Sequence, residues 1–175
     1  MNRNRFTYKR ATEPWEFEQI HRLNYQTFVE EIPQHSPNSE GWLIDKFHEE
    51  NTYFVCLDGN RVAGMVAARG KRPFSLDEKV KNLDDFLPAG ESVCEVRLLA
   101  VEPEFRHTNL FAGLFKFAAE ECIRQGYTLG VVSGTLRQTR LYSRLGFVSF
   151  AEPVGSAEER YQPMYLTLHS ALKVF

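Results

Sequence analysis

Glu95 and Arg97 stand two residues apart in the apolar run Cys94-Glu-Val-Arg-Leu-Leu-Ala-Val101. On a regular strand residues two apart share a face, which lines up Val93, Glu95, Arg97, Leu99 and Val101. Two charges on a face otherwise built for burial are costly unless the face opens into a cleft or the charges pair. A substrate cleft and a structural ion pair therefore both fit the pattern. A second signal follows at once in Val101-Glu-Pro-Glu-Phe-Arg-His-Thr-Asn-Leu-Phe111. A strand end, a proline turn, an arginine and a helix start collect backbone N–H groups, a positive dipole end and a guanidinium, the ingredients of an anion or phosphate site. The same residues also read as an ordinary helix start, with Thr108 or Asn109 as the N-cap.

These residues need elements to hold them. Phe6 to Arg10 alternates as a short strand, and Thr12 suits the N-cap of a helix with Pro14 in its first turn and Phe17, Ile20, Leu23, Asn24, Thr27 and Phe28 at helical spacing. Pro33 ends that helix, Ser36 to Ser39 is a loop, and Gly41 to Glu50 reads as a second short helix. Residues 52–57 and 61–67 flank Asp58-Gly59-Asn60 as a hairpin. Gly70 to Gly90 is rich in Pro, Lys and Asp, with one helical turn near Leu76 to Val80, and suits a lid or a mobile connection. Ser92 to Val101 is a strand. The next helix runs to Gln125, buries Phe111, Leu114, Phe115, Ala118 and Cys122, and ends at Gly126. Tyr127 to Ser133 is a strand, Thr135 to Leu145 a short helix, and Phe147 to Phe150 and Tyr161 to Leu168 close the order as strands.

Composition narrows the function classes. At 175 residues the chain fits one domain spanning 1–175, and a chain of that size buries roughly 70% of its unfolded surface without metal or disulfide support. A net charge of −2, from 21 basic and 23 acidic residues, implies no broad nucleic-acid surface. Cys56, Cys94 and Cys122 sit among apolar neighbours without ligand spacing and read as reduced, buried thiols. No metal site is expected. No signal segment and no membrane span are read, so a cytoplasmic protein is expected. Neither G-x-G-x-x-G nor a P-loop is present, which argues against a nucleotide-binding domain of those types.

Arg97-Leu-Leu-Ala-Val-Glu-Pro-Glu-Phe-Arg106 resembles the core motif of the GNAT acyltransferase superfamily, in which such a strand runs into R/Q-x-x-G-x-G/A. Leu141-Tyr-Ser-Arg-Leu-Gly-Phe147 resembles that family's second signature, and the hairpin and element order agree over Phe6 to Leu168. The resemblance implies an α/β (α+β) fold, with a mixed, mostly antiparallel sheet split between strands 4 and 5 and helices on both faces. It implies an N-acyltransferase that moves an acyl group from acetyl-CoA or acyl-CoA to an amine of a small molecule. The pantetheine arm would pair with the backbone of Leu98, Leu99 and Val101, and pyrophosphate contacts would fall on Arg106, His107, Thr108, Asn109, Leu110 and Phe111. Tyr142 would protonate the leaving thiolate, against a plain reading as a core aromatic, and Glu95 would take the amine proton. GNAT relatives are often dimers.

Asn109 and Phe111 stand where the motif has glycines, and a benzyl group at the second narrows the pyrophosphate's approach. An acyl carrier protein offers the same pantetheine arm on a single phosphate. The N-acyl amino acid and autoinducer synthase branches of the family use that donor and carry a Glu and an Arg on this strand, with a spacing that differs from that of Glu95 and Arg97. In that reading Arg97 holds an acceptor carboxylate. Phe54, Phe105, Phe111, Phe115 and Phe147 suit either an acyl tunnel or a core. A non-catalytic GNAT-fold binding or regulatory module is the third reading.

Overall fold

Glu16, only 1% exposed, lies in the first turn of the first helix. Its carboxylate accepts the backbone N–H groups of Thr12 at 2.8 Å and Glu13 at 3.0 Å and pairs with Lys9 at 2.7 Å. Glu13, not Thr12, therefore occupies the N-cap position, because the buried carboxylate supplies the capping bonds from inside the first turn.

The computed structural model describes residues 5–174. Its elements are β1 Thr7–Arg10, α1 Pro14–Tyr25, β2 Thr52–Asp58, β3 Arg61–Arg69, β4 Val93–Val101, α2 Leu110–Arg124, β5 Leu129–Thr135, α3 Thr139–Arg144, β6 Val148–Ser149, β7 Val154–Gly155, β8 Arg160–Thr167 and α4 Leu168–Ala171. The strands form an eight-stranded sheet ordered β1-β2-β3-β4-β5-β8-β6, with β7 on β8. The pairs β1–β2, β5–β8, β6–β8 and β7–β8 are antiparallel, and β4–β5 is parallel. This is the mixed, mostly antiparallel α/β architecture expected. The β4–β5 ladder joins Val93, Cys94 and Glu95 to Leu129, Gly130 and Val131. Both strands run on beyond these pairs, β4 to Val101 and β5 to Thr135.

The chain divides into two compact units, Met1–Ala67 with Leu98–Ala118, and Ala68–Arg97 with Ala119–Phe175. In the first, Ile20, Leu23, Phe28, Tyr53, Val55, Met65 and Ala100 form the core, with Leu98 packed against it. After Tyr25 the helix widens into a π-helical segment, Gln26–Glu31, just before Pro33. The helix expected over Gly41 to Glu50 is not formed, and only a 3₁₀ turn at His48–Glu50 appears. Two local competitors explain this: the Asn38 side chain accepts the N–H groups of Glu40 and Gly41, and Leu43 donates its N–H to the His21 carbonyl. The hairpin forms as expected, with Gly59 at φ +61°.

In the second unit the Gly70 to Gly90 segment is packed rather than loose. Phe74, Leu76, Val80 and Leu83 are buried with Leu129 and Val131, and Val93, Phe150, Val154 and Tyr165 pack around them. Lys79 ties the segment to β5 through Ser133 at 3.0 Å and lies over the Tyr161 ring at 4.4 Å. Cys94 is hydrogen-bonded to Cys122, which together with burial pushes its thiol well above the usual range, and all three cysteines are free and buried. No helix among the described residues is long and apolar enough to cross a membrane.

Candidate active site

The Glu95 side chain is 1% exposed, and four donors converge on it. Oε1 accepts the Ser75 hydroxyl and the Leu76 N–H at 3.2 Å, while Oε2 accepts the Ser75 N–H at 3.2 Å and Arg97 Nη1 at 3.2 Å. A carboxylate offers about four lone-pair positions, so this one is saturated. Arg97 Nη1 also donates to Ser75 Oγ at 3.0 Å, and the Arg97 side chain keeps 12% exposure. The ion pair, one of the two readings of these residues, is thus formed, and it is also the anchor for the segment that begins at Gly70. Ser75 gives no signal in the sequence, because a serine in an aperiodic stretch looks like any loop serine.

The next residue of β4 breaks strand geometry. Leu98 has φ +53°, the left-handed region that costs a branched side chain roughly 1–2 kcal/mol. Such a residue kinks a strand and interrupts its alternation. The face shared by Glu95 and Arg97 therefore does not carry on regularly to Leu99 and Val101, a correction to the single uninterrupted face expected. Leu99 and Val101 are buried.

The residues expected to meet pyrophosphate lie in the first unit with Leu98. Arg106 is engaged there: Nε donates to the Val101 carbonyl at 2.9 Å and Nη2 meets Glu31 at 2.7 Å. Thr108 Oγ1 donates to the Phe105 carbonyl at 2.7 Å and accepts the Leu110 N–H at 3.3 Å, and Gly113 donates its N–H to the Asn109 carbonyl. Asn109 is thus the N-cap of α2. Arg106, His107, Thr108 and Asn109 are exposed, Leu110 is buried and Phe111 is half-buried. Of the other phenylalanines considered for a tunnel, Phe54, Phe105, Phe115 and Phe147 are buried.

Tyr142 belongs to the second unit and is 4% exposed. Its ring meets Phe147 edge-on at 5.4 Å, and it approaches Gly134 so closely that a Cβ there would lie 2.6 Å from the ring. Burial pushes its phenol above the ordinary range, so it stays an O–H donor at neutral pH.

A model of the N-acyl amino acid synthase FeeM family matches residues 19–168. No curated protein sequence matches the chain. Among solved structures, a CoA-dependent acyl-homoserine lactone synthase, BjaI, with SAM and isopentyl-CoA, superposes with a TM-score of 0.75 at 22% identity, over 90% of this chain and 79% of that one. FeeM, an N-acyl amino acid synthase from uncultured soil microbes, superposes at 0.73 and 17% identity, over 95% and 93% of the two chains. A candidate N-acetyltransferase from Lactobacillus plantarum gives 0.68 at 17% identity, over 94% and 99%. At these identities the likeness is one of fold.

Removing the Glu95 carboxylate strands two backbone donors and a guanidinium. Glu95→Ala is expected to destabilise the protein by roughly 3–5 kcal/mol, the cost of breaking a buried pair. Thermal unfolding measures the loss, and hydrogen exchange at the Ser75 and Leu76 amides should accelerate with it; unchanged exchange at both would refute the anchoring role.

Proposed function

The chain belongs to the family of the N-acyl amino acid synthase FeeM and is an acyltransferase, and from that premise we propose that it acylates the amine of an amino acid or amino-acid-like acceptor. The observation that carries this reading is Arg97, whose side chain keeps 12% exposure and whose Nη1 is held by a buried carboxylate and a hydroxyl. Arginine's planar fork suits a carboxylate, which is the group an amino acid has and a simple amine lacks.

The proposed chemistry uses few groups. The pantetheine arm runs along Leu98, Leu99 and Val101. The amine attacks the thioester carbonyl, and the oxyanion is met by backbone N–H groups where β4 is kinked; the left-handed Leu98 supports this, since such strain gathers at functional sites. Glu95 takes the amine proton. Its lone pairs are all occupied, so one donor must swing aside, and the Ser75 hydroxyl is the one on a freely rotating bond. Tyr142, kept protonated by burial, donates to the departing thiolate.

For the donor, we favour an acyl carrier protein. Arg106 is already committed to Val101 and Glu31, and Phe111 occupies a motif glycine position, so the pyrophosphate of coenzyme A would find its cradle partly taken. Acyl-CoA is the second reading, favoured by the fold likeness to BjaI, which is a CoA-dependent synthase. His107, Thr108, Asn109 and Leu110 would meet the phosphate at the start of α2. A single acyltransferase domain, a cytoplasmic setting suited to three reduced thiols, and a homodimer complete the proposal.

Free thiol release tests the donor and the acceptor class together. With a pool of amino acids, long-chain acyl carrier protein is expected to release thiol faster than acetyl-CoA or long-chain acyl-CoA, and omitting the amino acids should abolish the release. Faster release from acyl-CoA would replace the donor; release indifferent to amino acids would overturn the acceptor class. Tyr142→Phe is expected to lower kcat roughly a hundredfold, within the range for a lost general acid, while donor binding by calorimetry stays unchanged. Full activity in that variant would return Tyr142 to a packing role.

A further inference from the structure

Ser75 is held between two core anchors. Phe74 and Leu76, its neighbours, are 1% and 0% exposed, and the Phe74 N–H is capped by the Asp77 carboxylate at 2.6 Å. The Ser75 backbone N–H is bound to Glu95 Oε2, so the residue cannot slide along β4. Its hydroxyl then faces both Glu95 Oε1 and Arg97 Nη1. The direction of each bond is set by chemistry. Arginine carries donors only, so Ser75 Oγ must accept from Arg97, and its single proton goes to the carboxylate. One hydroxyl thereby completes a closed three-membered ring of hydrogen bonds, with Arg97 Nη1 also reaching Glu95 Oε2 at 3.2 Å.

We propose that Ser75 is a positioning residue for acceptor recognition, its hydroxyl bridging Glu95 and Arg97 so that the guanidinium is aimed at the acceptor's carboxylate. This rests on the reading that Arg97 receives that carboxylate. Glu95 Oε2 holds Arg97 Nη1 from one direction. The second acceptor, on a residue anchored by its own backbone, fixes the plane of the fork. A pre-aimed fork loses less freedom when it binds, which improves acceptor affinity without a new contact to the acceptor. The consequence is that the Gly70 to Gly90 segment, which carries Ser75 20 residues ahead of Glu95, helps set acceptor preference through one side chain.

The test compares Ser75→Ala, Ser75→Thr, Arg97→Ala and the Ser75→Ala/Arg97→Ala double variant in the thiol-release assay, using the amino acid and donor that the wild type consumes. The Nε–Hε resonance of Arg97 is followed by NMR in the wild type and the Ser75 variants. Ser75→Ala keeps both backbone bonds to Glu95 and so keeps the anchor. It is expected to raise the acceptor KM roughly tenfold, in line with a lost hydrogen bond to a charged group, with a much smaller change in kcat. The Arg97 resonance should move and broaden, and Ser75→Thr, which retains the hydroxyl, should restore both. In the Arg97→Ala background the Ser75 substitution should add little.

An unmoved Arg97 resonance in Ser75→Ala would overturn the proposal, as would an undiminished effect of Ser75→Ala in the Arg97→Ala background. If Arg97→Ala raises KM and Ser75→Ala does not, the positioning role falls and the acceptor reading stands. If the resonance moves and Arg97→Ala leaves KM unchanged, the acceptor reading of Arg97 falls and takes the proposal with it.

Discussion

A carboxylate that is 1% exposed must have its lone pairs satisfied, or the burial costs several kcal/mol. Glu95 meets that demand with two backbone N–H groups, a hydroxyl and a guanidinium, three of them from Ser75 and Leu76. Much of the second unit follows from this. Once Ser75 is bound to β4, Phe74 and Leu76 are carried into the core beside Leu129 and Val131, and the chain that follows folds over them to bury Val80 and Leu83. A stretch without its own periodicity becomes a packed element because one charged side chain requires its backbone.

The same strand carries the opposite kind of irregularity three residues later. Glu95 is a buried charge with every lone pair satisfied, and Leu98 is a strained backbone in a strand. Glu95 is still paired with Val131 of β5 and serves as an anchor, whereas Leu98 lies beyond those pairs. Backbone strain gathers at functional sites, which supports the proposal that acyl transfer takes place along this strand and not on the regular β5–β8 ladder. Arg106 presents a contrasting case, since its guanidinium closes the turn after β4 and braces Glu31.

The sequence was most legible where the determining contacts are local. The hairpin at Gly59, the helix from Leu110 to Arg124 and the strands around Val131 and Met164 are written in turn residues and periodicity, and they stand within two or three residues of expectation. The pairing of Glu95 with Arg97 was legible because two-residue spacing on a strand is also local. Four features were not. Thr12 looked like the cap because it has the right side chain, while the capping oxygen came from Glu16 one turn on. The Gly41 to Glu50 stretch looked helical, and the Asn38 side chain with the His21 carbonyl took the backbone donors that a helix needs. Ser75 was invisible because its importance comes from a partner 20 residues away. Left-handed Leu98 has no residue-type signature at all, since leucine is among the residues least suited to that conformation.

Mass spectrometry of the reaction products tests the central claim most directly. The wild-type protein, supplied with a long-chain acyl carrier protein and an equimolar mixture of amino acids, is expected to yield N-acyl amino acid whose amide bond joins the donated chain to the α-amine. Glu95→Gln and Arg97→Ala proteins that remain folded should yield far less. Only free fatty acid, or an acylated amine without a carboxylate, would contradict the assignment of Arg97 and its buried anchor to amino acid acylation.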